Sequence, residues 1–280
     1  MRTHPTTNAR VSGQKKETGG FTFTELLVVV ATLAILMFVM APAFASVKPN
    51  SKIEQCLDGK RQLALAWEMY ASDNSDRLMS VSSWISGIMD WSSSSQNTNT
   101  TLLTNPTSAL IGAYNSSVAV FKCPADYYQS PVNPGPRVRS VSMDTMLTGS
   151  PTIQGTGSQH HNFFIARKLS DLARPGPAMV YVFLDEHADS INDGLFQLDP
   201  GYALGQEKWR DLPAAYHDGA CGMSFADGHT EMHVWQQKSG INKTIYPVLM
   251  TTSPFGAPWA TVTLGISADY EWFEGHIPYH

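Results

Sequence analysis

The feature that most restricts this chain is an uncharged run, residues 26–47 (LLVVVATLAILMFVMAPAFASV), set behind a basic leader. As one helix its 22 residues would span roughly 33 Å, enough for a bilayer core of about 30 Å. Residues 1–20 carry Arg2, Arg10, Lys15 and Lys16 against Glu17, which predicts a cytoplasmic leader and an exported body. An ordinary secretory signal has an apolar core of about 7–15 residues before a small-x-small cleavage site. Ala41-Pro42-Ala43 and Ala43-Phe44-Ala45 imitate such a site, but the run ahead of them is too long.

Glu25 sits at the entrance to that run. A carboxylate inside a membrane helix costs up to about 2.5–3.5 kcal/mol at the centre and less near the interface, so it needs a cation. Cutting the chain after Gly20 would supply one, because Phe21 would then carry a free α-amine one helical turn from Glu25. Gly20 suits the cut, since a residue without Cβ lets a protease close on the backbone.

The set Gly20-Phe21, Thr24-Glu25-Leu26-Leu27 and the apolar run ending near Pro42 resembles the prepilin family, which includes type IV pilins and type II secretion pseudopilins. The resemblance implies cleavage after Gly20 by a prepilin peptidase and N-methylation of Phe21. It implies that Glu25 neutralises the terminal amine of a neighbouring subunit, that subunits pack through residues 21–47, and that Pro42 kinks the helix.

A second helical pattern starts at Ser51, a plausible cap. Ile53, Leu57, Ala64, Trp67 and Ala71 recur at three-to-four-residue steps, with Cys56, Leu63 and Tyr70 beside them and Glu54, Lys60, Arg61 and Glu68 in polar positions. Asp73-Asn74-Ser75-Asp76 reads as the stop. Polar or Gly/Pro-rich loops at residues 92–101, 131–136 and 149–157 then punctuate a body of short segments.

Three further blocks follow: Phe121-Lys122-Cys123-Pro124-Ala125-Asp126; a buried-strand pattern Met179–Leu184 running into an acidic segment; and His217 followed after nine residues by Asp227-Gly228. In this order, behind a prepilin start, they resemble prepilin-like proteins with an H-x9-DG C-terminal domain, of the planctomycete–verrucomicrobium type. That resemblance supplies architecture and export route, not a reaction.

Asp227-Gly228 is a two-residue hairpin signal. It predicts the pairs Ala226–His229, Phe225–Thr230, Ser224–Glu231 and Met223–Met232, with Met223, Phe225, Met232 and Val234 on a core face. His229, Glu231 and His233 then share the other face, which reads as solvated, with metal ligation the alternative. His217 either bonds the turn region or joins a site.

Asp185, Glu186, His187, Asp189, Asn192 and Asp193, with Ser190 among them, form the better site candidate. Oxygen-rich donors directly after a buried strand suit calcium or another ligand; the competing reading is a polar turn closed by Asn192-Asp193-Gly194. With His217 and Asp227 these residues make up the candidate ligand set, and no cofactor is required. Of the three cysteines, Cys56 and Cys123 could form a disulfide clamping the loop to the helix, while Cys221 reads as a buried free thiol.

Charged residues are 15 % and the net charge is -5, so no basic stripe is available for nucleic acid. HExxH, GxSxG and GxxxxGK[ST] are all missing, and no enzyme is expected. The expected fold is α+β and pilin-like: a cleaved leader (1–20), a long transmembrane and stalk helix (21–72), and a head (73–280) with a mainly antiparallel sheet. The expected function is a membrane-anchored subunit of a type II secretion pseudopilus or type IV pilus-like filament, held in the inner membrane by a single pass with its head in the periplasm. The alternative is a tethered, non-polymerising binding protein whose acidic loop holds an ion or glycan.

Overall fold

The structure is a computed structural model describing residues 22–33, 51–132, 135–251 and 262–280. The chain divides into two units, Met1–Lys48 and Pro49–His280. Gly20, Phe21, Pro42 and residues 34–47 of the apolar run lie outside the described residues.

Of the first unit, residues 23–33 are helical and exposed. Thr22 and Glu25 close the helix start reciprocally. The Thr22 N–H donates to Glu25 Oε2 at 2.8 Å, and the Glu25 N–H donates to Thr22 Oγ1 at 3.3 Å. This is a capping box, which gives the carboxylate at position 25 a local role at the helix start.

Among the described residues no helix is long and apolar enough to cross a membrane. Residues 23–33 as a helix rise only about 16 Å. Helix α1 (Lys52–Asp73) is long enough, but it carries Lys52, Glu54, Asp58, Lys60, Arg61, Glu68 and Asp73. This finding overturns the expected stalk helix over residues 21–72 and the single-pass inner-membrane placement built on it.

The second unit is a mixed five-stranded sheet with one long helix on one face and loops with a short helix over the other. Its strands are β1 (Val141–Asp144), β2 (Tyr181–Asp185), β3 (Leu195–Phe196), β4 (Ala220–Phe225) and β5 (Thr230–Val234), in the order β3-β1-β2-β4-β5. Pairings are antiparallel except β1 with β3, which is parallel.

Helix α1 begins where Ser51 Oγ accepts from the Glu54 N–H at 3.1 Å and stops where Asn74 caps the Tyr70 carbonyl. Ser75 and Asp76 then turn with φ of 57° and 69°. Leu63, Ala66 and Trp67 pack on one face of the sheet with Val141, Met143, Val182 and Phe183. The opposite face carries Tyr181, Leu184, Met223 and Phe225, covered by Trp209, Trp235 and the short helix α2 (Ala268–Glu274) through Tyr270 and Phe273. A register shift between Tyr181 and Phe183 sends Val182 and Phe183 to the same side. Each fully buried large apolar side chain contributes about 1.5–3 kcal/mol. Ile53, expected in the apolar stripe, is exposed instead, while Lys60, expected outside, is buried.

The β4–β5 hairpin differs from its expected register by one residue. Ser224 pairs with Thr230, Met223 with Glu231 and Gly222 with Met232. The Phe225 N–H donates to the His229 carbonyl, leaving a three-residue loop, Ala226-Asp227-Gly228. Only Gly228 in that loop has positive φ, +83°, the left-handed residue of a three-residue hairpin. A one-residue slip exchanges the faces of β5. Val234 is therefore exposed, and His229 stacks on Phe225 with centroids 4.3 Å apart. His233 lies against Trp272, so His229, Glu231 and His233 do not gather into a ligand set.

Candidate functional site: a buried thiol, imidazole and ion-pair cluster

Four segments meet where α1 crosses the ends of β2 and β4. Helix α1 brings Cys56 and, one turn on, Lys60; residues four apart share a face. The turn after residues 118–121 brings Cys123, the end of β2 brings Asp185, and the turn before β4 brings His217. Lys60 and Asp185 form an ion pair of 2.7 Å, each about 1 % exposed. Asp185 Oδ1 also accepts from Ser140 Oγ at 2.8 Å, and Oδ2 accepts from the Cys56 thiol at 3.1 Å. Ser140 Oγ in turn accepts from the Cys123 N–H at 2.7 Å, tying the Cys123 turn to the same carboxylate. Cys123 Sγ lies 3.0 Å from His217 Nε2 and receives the Ala125 N–H at 3.4 Å.

Burial is the strongest single influence on the Lys60 ammonium and would lower it, but the Asp185 carboxylate together with the Cys56 and Cys123 sulfurs outweighs it and the net shift is upward. The Cys56 thiol is driven well up by its hydrogen bond with Cys123, by burial and by the Asp185 charge, so it keeps its proton. Close approach here requires Gly222. A Cβ on that residue would stand 2.6 Å from Cys56 Sγ and 3.3 Å from Asp185 Oδ2.

Cys56 and Cys123 thus share one pocket, as free thiols with no bond between them. Cys221 is a buried free thiol that donates to the Asp185 carbonyl at 3.2 Å. His217 meets Cys123 rather than the hairpin turn. Asp227 lies past the far end of β4, whose six residues span about 20 Å. It is exposed and accepts from the His229 N–H within the loop. The nine residues between His217 and Asp227 thus include all of β4, and the two do not share a site.

The acidic segment disperses instead of converging. Glu186 is buried between the Ser142 and Ser190 hydroxyls, and burial pushes its carboxyl up. His187 Nδ1 accepts from the Asp189 N–H and its Nε2 donates to the Tyr246 carbonyl; burial lowers its pKa to about 4, so it is neutral. Asp189 receives the Trp91 indole N–H at 2.7 Å and the Met250 N–H at 2.8 Å. The Asn192 carbonyl accepts from Arg139, and Asp193 accepts from the Leu195 N–H in the turn. Among the described residues the group of ligating side chains that does converge is Cys56, Cys123 and His217. An ion held by the acidic segment has no such arrangement to support it.

Lys60, Ser140 and Gly222 escaped the sequence reading. Lys60 sits four residues after Cys56, a helical spacing that would have put the two on one face. Nothing in the sequence ties Ser140 or Gly222 to them. No protein-family model, no curated protein and no solved structure matches this chain.

Proposed function

We propose that the chain is a prepilin-like subunit of a secretion pseudopilus or pilus-like filament, cut after Gly20 and N-methylated at Phe21. The observation that carries this reading is the sequence Gly20-Phe21-x-x-x-Glu25 opening an uncharged apolar run. A helix that is apolar on all sides seeks a partner for every face. Phe23, Leu26, Leu27, Val28, Val29, Val30 and Leu33 are all exposed on residues 23–33, as a segment that packs against copies of itself would be. The Pro49–His280 unit would be what such a filament displays.

The capping box gives Glu25 a competing, purely local role, and one substitution separates the two. Glu25→Gln keeps a side-chain acceptor for the Thr22 N–H but removes the charge. Under the proposal, Glu25→Gln is cleaved normally, with Phe21 as the methylated first residue by mass spectrometry, yet fails to polymerise. Normal filaments from that variant, or a native protein retaining residues 1–20, would overturn the reading.

A further inference from the structure

We propose that Cys56, Cys123 and His217 bind a thiophilic divalent cation, with Zn2+ the ion the donors fit. The inference is independent of the filament reading.

Three observations carry it. The donor atoms of the three side chains lie within 4.8 Å of one another. Tetrahedral zinc with sulfur at about 2.3 Å and nitrogen at about 2.0–2.1 Å sets its ligands about 3.5–3.8 Å apart, so small side-chain movements suffice. Second, the Ala125 N–H aims at Cys123 Sγ from two residues on. A backbone donor to sulfur favours a thiolate, as outer-shell donors do around metal ligands. Third, Gly222 lacks the Cβ that would stand 2.6 Å from Cys56 Sγ and 3.3 Å from Asp185 Oδ2, so β4 lets the Cys56 sulfur come close to its backbone.

The charges balance as well. Two thiolates offset a divalent ion, while Lys60 and Asp185 offset each other. Loading exchanges two thiol protons for one ion, and the buried cluster is neutral before and after. Asp185 Oδ1 is held by Lys60 at 2.7 Å and Ser140 at 2.8 Å, so its charge is already matched beside the site. A disulfide between Cys56 and Cys123 would use the same sulfurs but gives His217 no part.

The ligands come from three distant segments, so an ion would pin α1, the Cys123 turn and the His217 turn together and bind only the folded chain. Such binding raises stability in step with free ion concentration.

The test uses the full chain, reduced, stripped with chelator and titrated with Zn2+ or Co2+. The expected result is stoichiometric zinc, and with cobalt a thiolate-to-metal charge-transfer band in the near ultraviolet with tetrahedral d–d bands. His217→Ala, at a partly exposed position, should weaken zinc binding by more than about 100-fold, since outer-shell changes alone cost about 10–100-fold. The wild-type cobalt spectrum decides even if a variant misfolds. Three free thiols and no cobalt charge-transfer band would overturn the proposal. So would a native, unreduced protein lighter by two hydrogens with Cys56 and Cys123 joined.

Discussion

Lys60→Met tests whether the ion pair at the crossing of α1 and β2 holds the second unit together. Lys60 and Asp185 are each about 1 % exposed and 2.7 Å apart. At an effective dielectric constant near 20, unit charges at that distance attract by about 6 kcal/mol, against several kcal/mol of desolvation for each ion. The intact pair therefore contributes little net stability, but breaking it strands a buried charge. Met keeps the length and apolar stem of the lysine and removes only the ammonium. Asp185 then retains the Ser140 hydroxyl at 2.8 Å and the Cys56 thiol at 3.1 Å, which soften the loss. We expect Lys60→Met to cost about 3 kcal/mol, the lower end of the range for breaking buried pairs. Asp185→Asn should cost a similar amount, because it leaves the ammonium beside a neutral amide.

The double variant Lys60→Met/Asp185→Asn leaves no charge to strand. It should be more stable than the sum of the single effects by about 2–3 kcal/mol, the coupling expected of residues in contact. Urea unfolding in the presence of chelator measures all four proteins, followed by the fluorescence of the buried Trp67, Trp84, Trp209 and Trp235. Unchanged slopes with shifted midpoints would assign the effect to the native state. A Lys60→Met cost below about 1 kcal/mol, or single effects that simply add, would refute the stranded-charge argument.

Two further outcomes follow from buried groups. Burial raises the Asp144 carboxyl to about 8, against the Met146 N–H and the Tyr181 hydroxyl, which favour its charge. The fold thus holds this proton more tightly than the unfolded chain does. Its contribution is complete below the unfolded value near pH 4 and is lost as pH rises through about 8. Asp144→Asn should flatten the fall of the urea-derived unfolding free energy between about pH 4 and about pH 8 by up to 1.36 kcal/mol per pH unit, and an unchanged slope would count against a buried proton there. Asp211, raised by burial to about 8, and Glu274, raised to about 7, leave a residual slope of the same sign. Gly222→Ala should cost about 1–3 kcal/mol of unfolding free energy measured in urea and abolish cobalt binding, because the new methyl meets Cys56 Sγ at 2.6 Å; a neutral effect would show slack in the pocket.

What could be read in advance was what short-range chemistry decides. Ser51 as cap, the turn at residues 73–76 and the buried strand expected over Met179–Leu184 each depend on neighbours within a few residues; the cap and the turn appear as read, and the strand appears as Tyr181–Asp185. The hairpin was readable only in outline. Asp227-Gly228 marks a reversal, but two- and three-residue loops share that dipeptide, and the choice between them moves every side chain of β5 to the other face. The long helix failed for a related reason. A run of apolar residues measures hydrophobic length, not helical continuity, and α1 starts afresh at its own cap with charges that no membrane span would carry.

The cluster itself was hidden because its parts are far apart in sequence and each has an ordinary role alone. Lys60 in a helix reads as a solvent-facing residue until Asp185, 125 positions later, supplies its counter-charge. The acidic segment misled in the opposite sense. Its carboxylates are adjacent in sequence, but a strand end and a tight turn send successive side chains to different partners: Asp185 to Lys60, Glu186 to two serines, Asp189 to a tryptophan. Alternation along an extended chain separates near neighbours, while sheet pairing and helix docking join distant residues. A site built from Cys56, Cys123 and His217 is therefore a property of the tertiary fold, and any ion it holds would in turn report that the three segments have docked.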